Sequence, residues 1–182
     1  MSTLTAVLTR PIAINKSAER ALIVALFSFL TFAGAMIRIQ LPFTPVPITL
    51  QTLVLFMAVY FLDPKELGLS QLIYIAAGLI GTPVFAAGVA GMLALVGPTA
   101  GYLIGFIAAG IVMPLIKSKV KANYFIMAGI FTLGTLIVYT LGAAHLVLVY
   151  KMSIPQAVLA GMLPFVAGDA VKIAIASAFY KR

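Results

Sequence analysis

The chain has 182 residues, 63% of them hydrophobic and only 9% charged, with a mean hydropathy of +1.18 and a formal net charge of +8. That balance excludes an ordinary soluble domain and points to a single integral membrane domain over residues 1–182. With no cysteine, the chain also offers neither a disulfide framework nor thiolate chemistry.

Breaks in the apolar runs predict an all-α membrane protein, a bundle of six transmembrane helices. Arg10, Lys16 and Arg20 precede the charge-free run Ala21 to Ile37. That run lacks a small-residue cleavage pattern, so a retained first helix is expected over about 18–37. Pro42, Pro45 and Pro47 cannot continue a helix, which makes Leu41 to Ile48 an extended loop and starts the second helix near Thr49, over 49–62. Asp63-Pro-Lys-Glu66 reads as a polar turn with Pro64 at the first position of the third helix, 65–80. Leu67 to Ile116 carries no formal charge, and its middle, Gly78 to Pro98, is rich in glycine. A non-helical apolar segment is therefore expected before a fourth helix at 98–116. Irregular backbone among apolar residues is tolerated where it packs in protein or lines a cavity. Lys117, Lys119 and Lys121 end that helix; a fifth fills 123–149, and a sixth lies over 154–180, interrupted around Pro164 and Gly168.

An even number of spans puts both termini on one face. Nine basic residues then gather there (Arg10, Lys16, Arg20, Lys65, Lys117, Lys119, Lys121, Lys181 and Arg182), against Arg38 and Lys151 on the other. The positive-inside rule makes the termini cytoplasmic and the location the cell membrane. It also accounts for the basic charge without nucleic-acid binding. Three loops, 41–48, 78–97 and 151–155, fall together on the outer face, where they could cap a cavity. Gly97-Pro98-Thr99 opens the fourth helix at that face, with Pro98 at its first position and free N–H groups that could take a carboxylate; an ordinary helix start is the plainer alternative.

Between Ala122 and Tyr180 the charged residues are Lys151, Asp169 and Lys172. Charges at membrane depth are costly and mark functional sites, and residues three apart share a helix face. Asp169 and Lys172 therefore read as a polar ligand site, with a purely structural ion pair as the alternative. His145 has no second ligand-type residue at useful spacing, so a metal site is not expected. Four acidic residues, three of them near the cytoplasmic face, argue against an enzyme, and no cofactor is implied. A single buried carboxylate does permit a self-sufficient secondary carrier.

Thr44-Pro-Val-Pro-Ile-Thr-Leu-Gln-Thr-Leu53, Gly81-Thr-Pro-Val-Phe85, Gly97-Pro-Thr-Ala-Gly-Tyr-Leu-Ile-Gly-Phe106 and Pro164-Phe-Val-Ala-Gly-Asp-Ala-Val-Lys172, in that order and spacing, closely resemble the BioY family, the biotin-specific S components of energy-coupling-factor (ECF) transporters. The chain departs from the usual pattern at Ala100, Ala167 and the segment Ala86 to Met92. The resemblance implies a six-helix, high-affinity subunit that captures biotin from outside and works with a transmembrane coupling protein and ATP-hydrolysing subunits in the lipid bilayer. No G-x-x-x-x-G-K-[ST] occurs, so a P-loop ATPase is not built into this chain.

Against biotin's chemistry, Asp169 can accept from a ureido N–H, and Lys172 can donate to the ureido oxygen or to the carboxylate. The Gly97 to Thr99 helix start could hold whichever anion Lys172 does not. Gln51 and Tyr102 are further candidates, with helix–helix bonding and interface anchoring as their plainer roles. Ala21-x-x-x-Ala25 on the first helix resembles the surface that meets the coupling protein; packing within the bundle is the alternative.

Overall fold

The computed structural model describes residues 15–86 and 90–180. Arg10, Lys181 and Arg182, counted above for orientation, and the middle of the segment 86–92 lie outside those residues. The described chain is mostly helical. Helix α1 spans Lys16–Met36, and a two-stranded antiparallel hairpin, β1 (Arg38–Ile39) and β2 (Ile48–Thr49), follows it, with Arg38 opposite Thr49. The remaining helices are α2 (Gln51–Ala58), α3 (Pro64–Leu79), α4 (Leu93–Val96), α5 (Ala100–Lys117), α6 (Tyr124–Leu148), α7 (Ile154–Gly161) and α8 (Leu163–Ala178).

Their ends follow from local chemistry. Asn15, Asn123 and Ser153 cap α1, α6 and α7 with side-chain acceptors, and a capping box between Asp63 and Glu66 starts α3 at Pro64. Glu66 also pairs with Arg20 through both guanidinium arms, tying the start of α3 to the start of α1. Lys117 Nζ donates to the Val59 carbonyl at 2.8 Å, placing a cation at the C-terminus of α2.

Among the described residues three helices, α1, α5 and α6, are long and apolar enough to cross a membrane, and the pair α7 and α8 makes a fourth candidate with a 42° bend. Helix α2 has eight residues, about 12 Å at 1.5 Å per residue, and α3 about 24 Å, so neither alone matches an apolar thickness near 30 Å. Large apolar side chains nevertheless point outward around the bundle: Leu22, Leu26 and Phe29 on α1, Leu72 on α3, Ile104 on α5 and Val171 on α8. Apolar surface on that scale is what a lipid-facing bundle presents.

The sixth expected helix breaks at Met162, two residues before Pro164. Proline has no N–H to continue α7, so the chain restarts there and Pro164 enters the first turn of α8. Gly168 lies inside α8 and breaks nothing. The fourth expected helix also starts later than Pro98, with Thr99 as cap and Ala100 as first residue. Helices α5 and α6 pack closest. A Cβ at Gly101 would stand 2.3 Å from the Leu141 carbonyl oxygen, and one at Gly105 2.8 Å from Val138 Cα, so this Gly-x-x-x-Gly face lets two backbones nearly touch.

Candidate functional site

A cavity with about 590 Å³ of empty volume, counting its open side, lies among the hairpin, α2, α3, α5, α6 and α8. Helix α8 sets its floor. Phe165, Asp169 and Lys172 recur at helical spacing on one face and all three are buried, Asp169 to 3% exposure. Lys172 Nζ meets Asp169 Oδ1 at 2.7 Å, the Thr49 carbonyl at 2.7 Å and Thr52 Oγ1 at 3.0 Å. The ammonium's three donors thus have three acceptors. Asp169 Oδ1 also accepts from Thr52 Oγ1 at 2.9 Å, and Oδ2 accepts from the Tyr139 hydroxyl at 2.6 Å. The two charges neutralise one another inside a shared hydrogen-bond network, the condition under which buried ions are tolerated.

A second polar arm runs beside the first. Thr49 Oγ1 donates to Gln51 Oε1 at 3.1 Å, Gln51 Nε2 donates to the Tyr74 hydroxyl at 3.0 Å, and Tyr74 donates to the Val84 carbonyl. Most of the remaining lining is apolar or aromatic, with Val46, Ile48, Phe85, Leu103, Phe106 and Val138. A polar floor beneath a greasy wall suits a compact ligand with a few hydrogen-bonding groups.

Each residue singled out from the sequence has a definite place. Asp169, Lys172, Gln51, Tyr102 and Thr99 line the cavity. Tyr102 turns its hydroxyl to the Gly161 carbonyl at 2.6 Å, across the α7–α8 break, and presents its ring to the cavity. Gly97 does not line the cavity; its carbonyl takes a hydrogen bond from His145 Nε2 at 3.0 Å, which gives the histidine a packing role. Three of the N–H groups at the helix start are taken up within the chain. The Ala100 N–H returns to Gly97 O, and the Tyr102 and Leu103 N–H groups to Thr99 O, in tight turns that use the donors locally. Of the three loops expected to cap a cavity, 41–48 and 78–97 reach the lining, whereas 151–155 does not. Ala21 and Ala25 are exposed on α1, beside the face of Val24, Phe27, Ser28 and Thr31 that turns to the bundle.

Sequence reasoning missed Thr52, Tyr139, Tyr74 and Phe165. For Phe165 a signal existed, since it stands four residues before Asp169 on the same helix. Tyr139 lies 30 residues away in an unbroken apolar run, and only tertiary structure brings it to the carboxylate.

Helices with lipid-type exteriors around an internal cavity, floored by a compensated ion pair and walled by aromatic rings, define a membrane-type small-molecule-binding protein. A sequence profile of the BioY family matches residues 5–182, and this chain belongs to that family. It is 38% identical to a biotin transporter BioY of Thermotoga maritima over 84% of this chain and 88% of the relative. It is 37% identical to a probable biotin transporter BioY of Pyrococcus horikoshii over 87% and 92%. The fold is similar to the crystal structure of the S-component for biotin from an ECF-type ABC transporter, with a TM-score of 0.82, 25% identity and 92% of each chain covered.

Proposed function

We propose that this chain is the biotin-capturing S component of an ECF-type uptake transporter, seated in the cell membrane by six spanning segments with cytoplasmic termini, and energised by a coupling protein and ATP-hydrolysing subunits carried on other chains. The observation that carries the reading is the cavity floor. Asp169 Oδ2 accepts one hydrogen bond among the described residues, from Tyr139, and a carboxylate oxygen has room for a second. Gln51 Nε2 gives one hydrogen to Tyr74 and has another. A cyclic urea offers the complement, an N–H for Asp169 and a carbonyl for the amide, while its fused thioether ring suits the aromatic wall. Family membership and the relatives described as biotin transporters support the same ligand. In this reading Ala21 and Ala25 form part of the surface that meets the coupling protein.

The test is calorimetric titration of biotin into the purified chain in detergent, with neither nucleotide nor metal. Saturable one-site binding is expected. Binding that appeared only with added nucleotide, or vanished with a chelator, would overturn the proposal.

A further inference from the structure

Resting on the biotin reading, we infer that this cavity recognises the neutral ureido head and holds the ligand's carboxylate tail by no protein charge, so that tail-neutralised derivatives are ligands as well. The charged residues of the lining are Asp169 and Lys172, and they offset each other at 2.7 Å. The loop residues 87–89, outside the described structure, are Ala, Gly and Val and carry no charge to add. Lys172 is the one cation in the described lining, and its three N–H donors are already directed at Thr49 O, Thr52 Oγ1 and Asp169 Oδ1. A tail carboxylate could take Lys172 only by breaking one of these bonds and leaving Asp169 buried beside a second negative charge, which is strongly disfavoured.

The α5 start supplies no charged side chain, and its Ala100, Tyr102 and Leu103 N–H groups close onto Gly97 and Thr99. What the floor does have to spare, one lone-pair site on Asp169 Oδ2 and one hydrogen on Gln51 Nε2, suits a uncharged group with an adjacent donor and acceptor. The anion therefore stays hydrated at the cavity's open side, where water supplies its hydrogen bonds.

The experiment titrates the purified full chain in detergent with biotin and with biotinamide, its primary amide, which keeps the shape of the tail and removes its charge. Similar affinities are expected, within about tenfold, the spread that modest differences in tail hydration produce. An amide weaker than biotin by ~30-fold or more is what loss of a buried charge partner costs, and it would overturn the inference while leaving biotin binding intact. An amide weaker by a factor between those limits likewise overturns the inference, since differences in tail hydration alone do not reach that far. Failure of biotin itself to bind would instead reject the function on which the inference rests.

Discussion

At the scale of single residues, Asp169 is the member of the site with most depending on it. Its carboxylate receives Lys172, Thr52 and Tyr139 at once, from three different helices. Exchanging it for asparagine keeps the volume but turns one acceptor into a donor and leaves the buried ammonium without its counter-charge. Asp169→Asn should weaken biotin binding by ~1–3 kcal/mol, roughly fivefold to more than a hundredfold, when measured by calorimetry. A large fall in melting temperature with unchanged affinity would instead make the pair a structural staple. Tyr139→Phe probes the same oxygen more gently. It removes one donor from Oδ2, and a loss of about 1 kcal/mol, or some fivefold in affinity, is expected. Binding by Tyr139→Phe as tight as wild type would mean that the hydroxyl does not help to hold the carboxylate in place for the ligand. The ion pair was legible in the sequence because charge in an apolar run is conspicuous. Tyr139 was not, since a tyrosine in such a run looks like an interface anchor until its partner is known.

At the scale of elements, the α5–α6 contact depends on the absence of side chains. Gly101 and Gly105 let α5 approach the backbone of α6 at Leu141 and Val138, and this places Tyr102, Leu103 and Phe106 against the cavity. A methyl at Gly105 meets backbone, which cannot step aside as a flexible side chain could. Gly105→Ala should therefore cost ~1–3 kcal/mol and lower the melting temperature in detergent. Gly129→Ala on α6, where a Cβ meets nothing within 4 Å, is the control, and it should be neutral or slightly stabilising. Equal melting temperatures for the two variants would show that the close approach does not matter. Charges, prolines and caps made most helix positions legible in advance: Pro64 with its Asp63 cap, the stop at Lys117 and the break before Pro164 each have a local cause. The delayed start at Ala100 and the hairpin between Arg38 and Thr49 have none. Both are held by distant neighbours, the one by His145 on α6 donating to the Gly97 carbonyl, the other by Leu50 N–H reaching Gly34 O on α1.

At the scale of the whole molecule, the two ends of the bundle differ. Loops and the hairpin close over the cavity at one end, where α5 begins. At the other, Arg20 and Glu66 join α1 to α3, and Lys117 caps α2. Ala21 and Ala25 stand one and five residues beyond Arg20, at this second end, exposed and away from the cavity lining. In lipid, small residues four apart mark places where another helix can approach closely, because packing and not water exclusion drives association there. A bulky apolar residue at such a position is harmless to an isolated bundle facing lipid, and obstructive to a partner helix seated on the same stripe. Ala25→Phe should therefore leave biotin affinity and melting temperature unchanged for the purified chain. In proteoliposomes containing the coupling and ATPase subunits, it should slow ATP-driven biotin uptake by ~tenfold or more, the factor that about 1.4 kcal/mol of lost association gives. Wild-type uptake by that variant would remove Ala25 from the partner surface. Equal loss of binding and uptake would show that α1 communicates with the cavity through the bundle, and accumulation of biotin by the chain alone, with no ATPase present, would replace the S-component reading with that of a self-sufficient carrier.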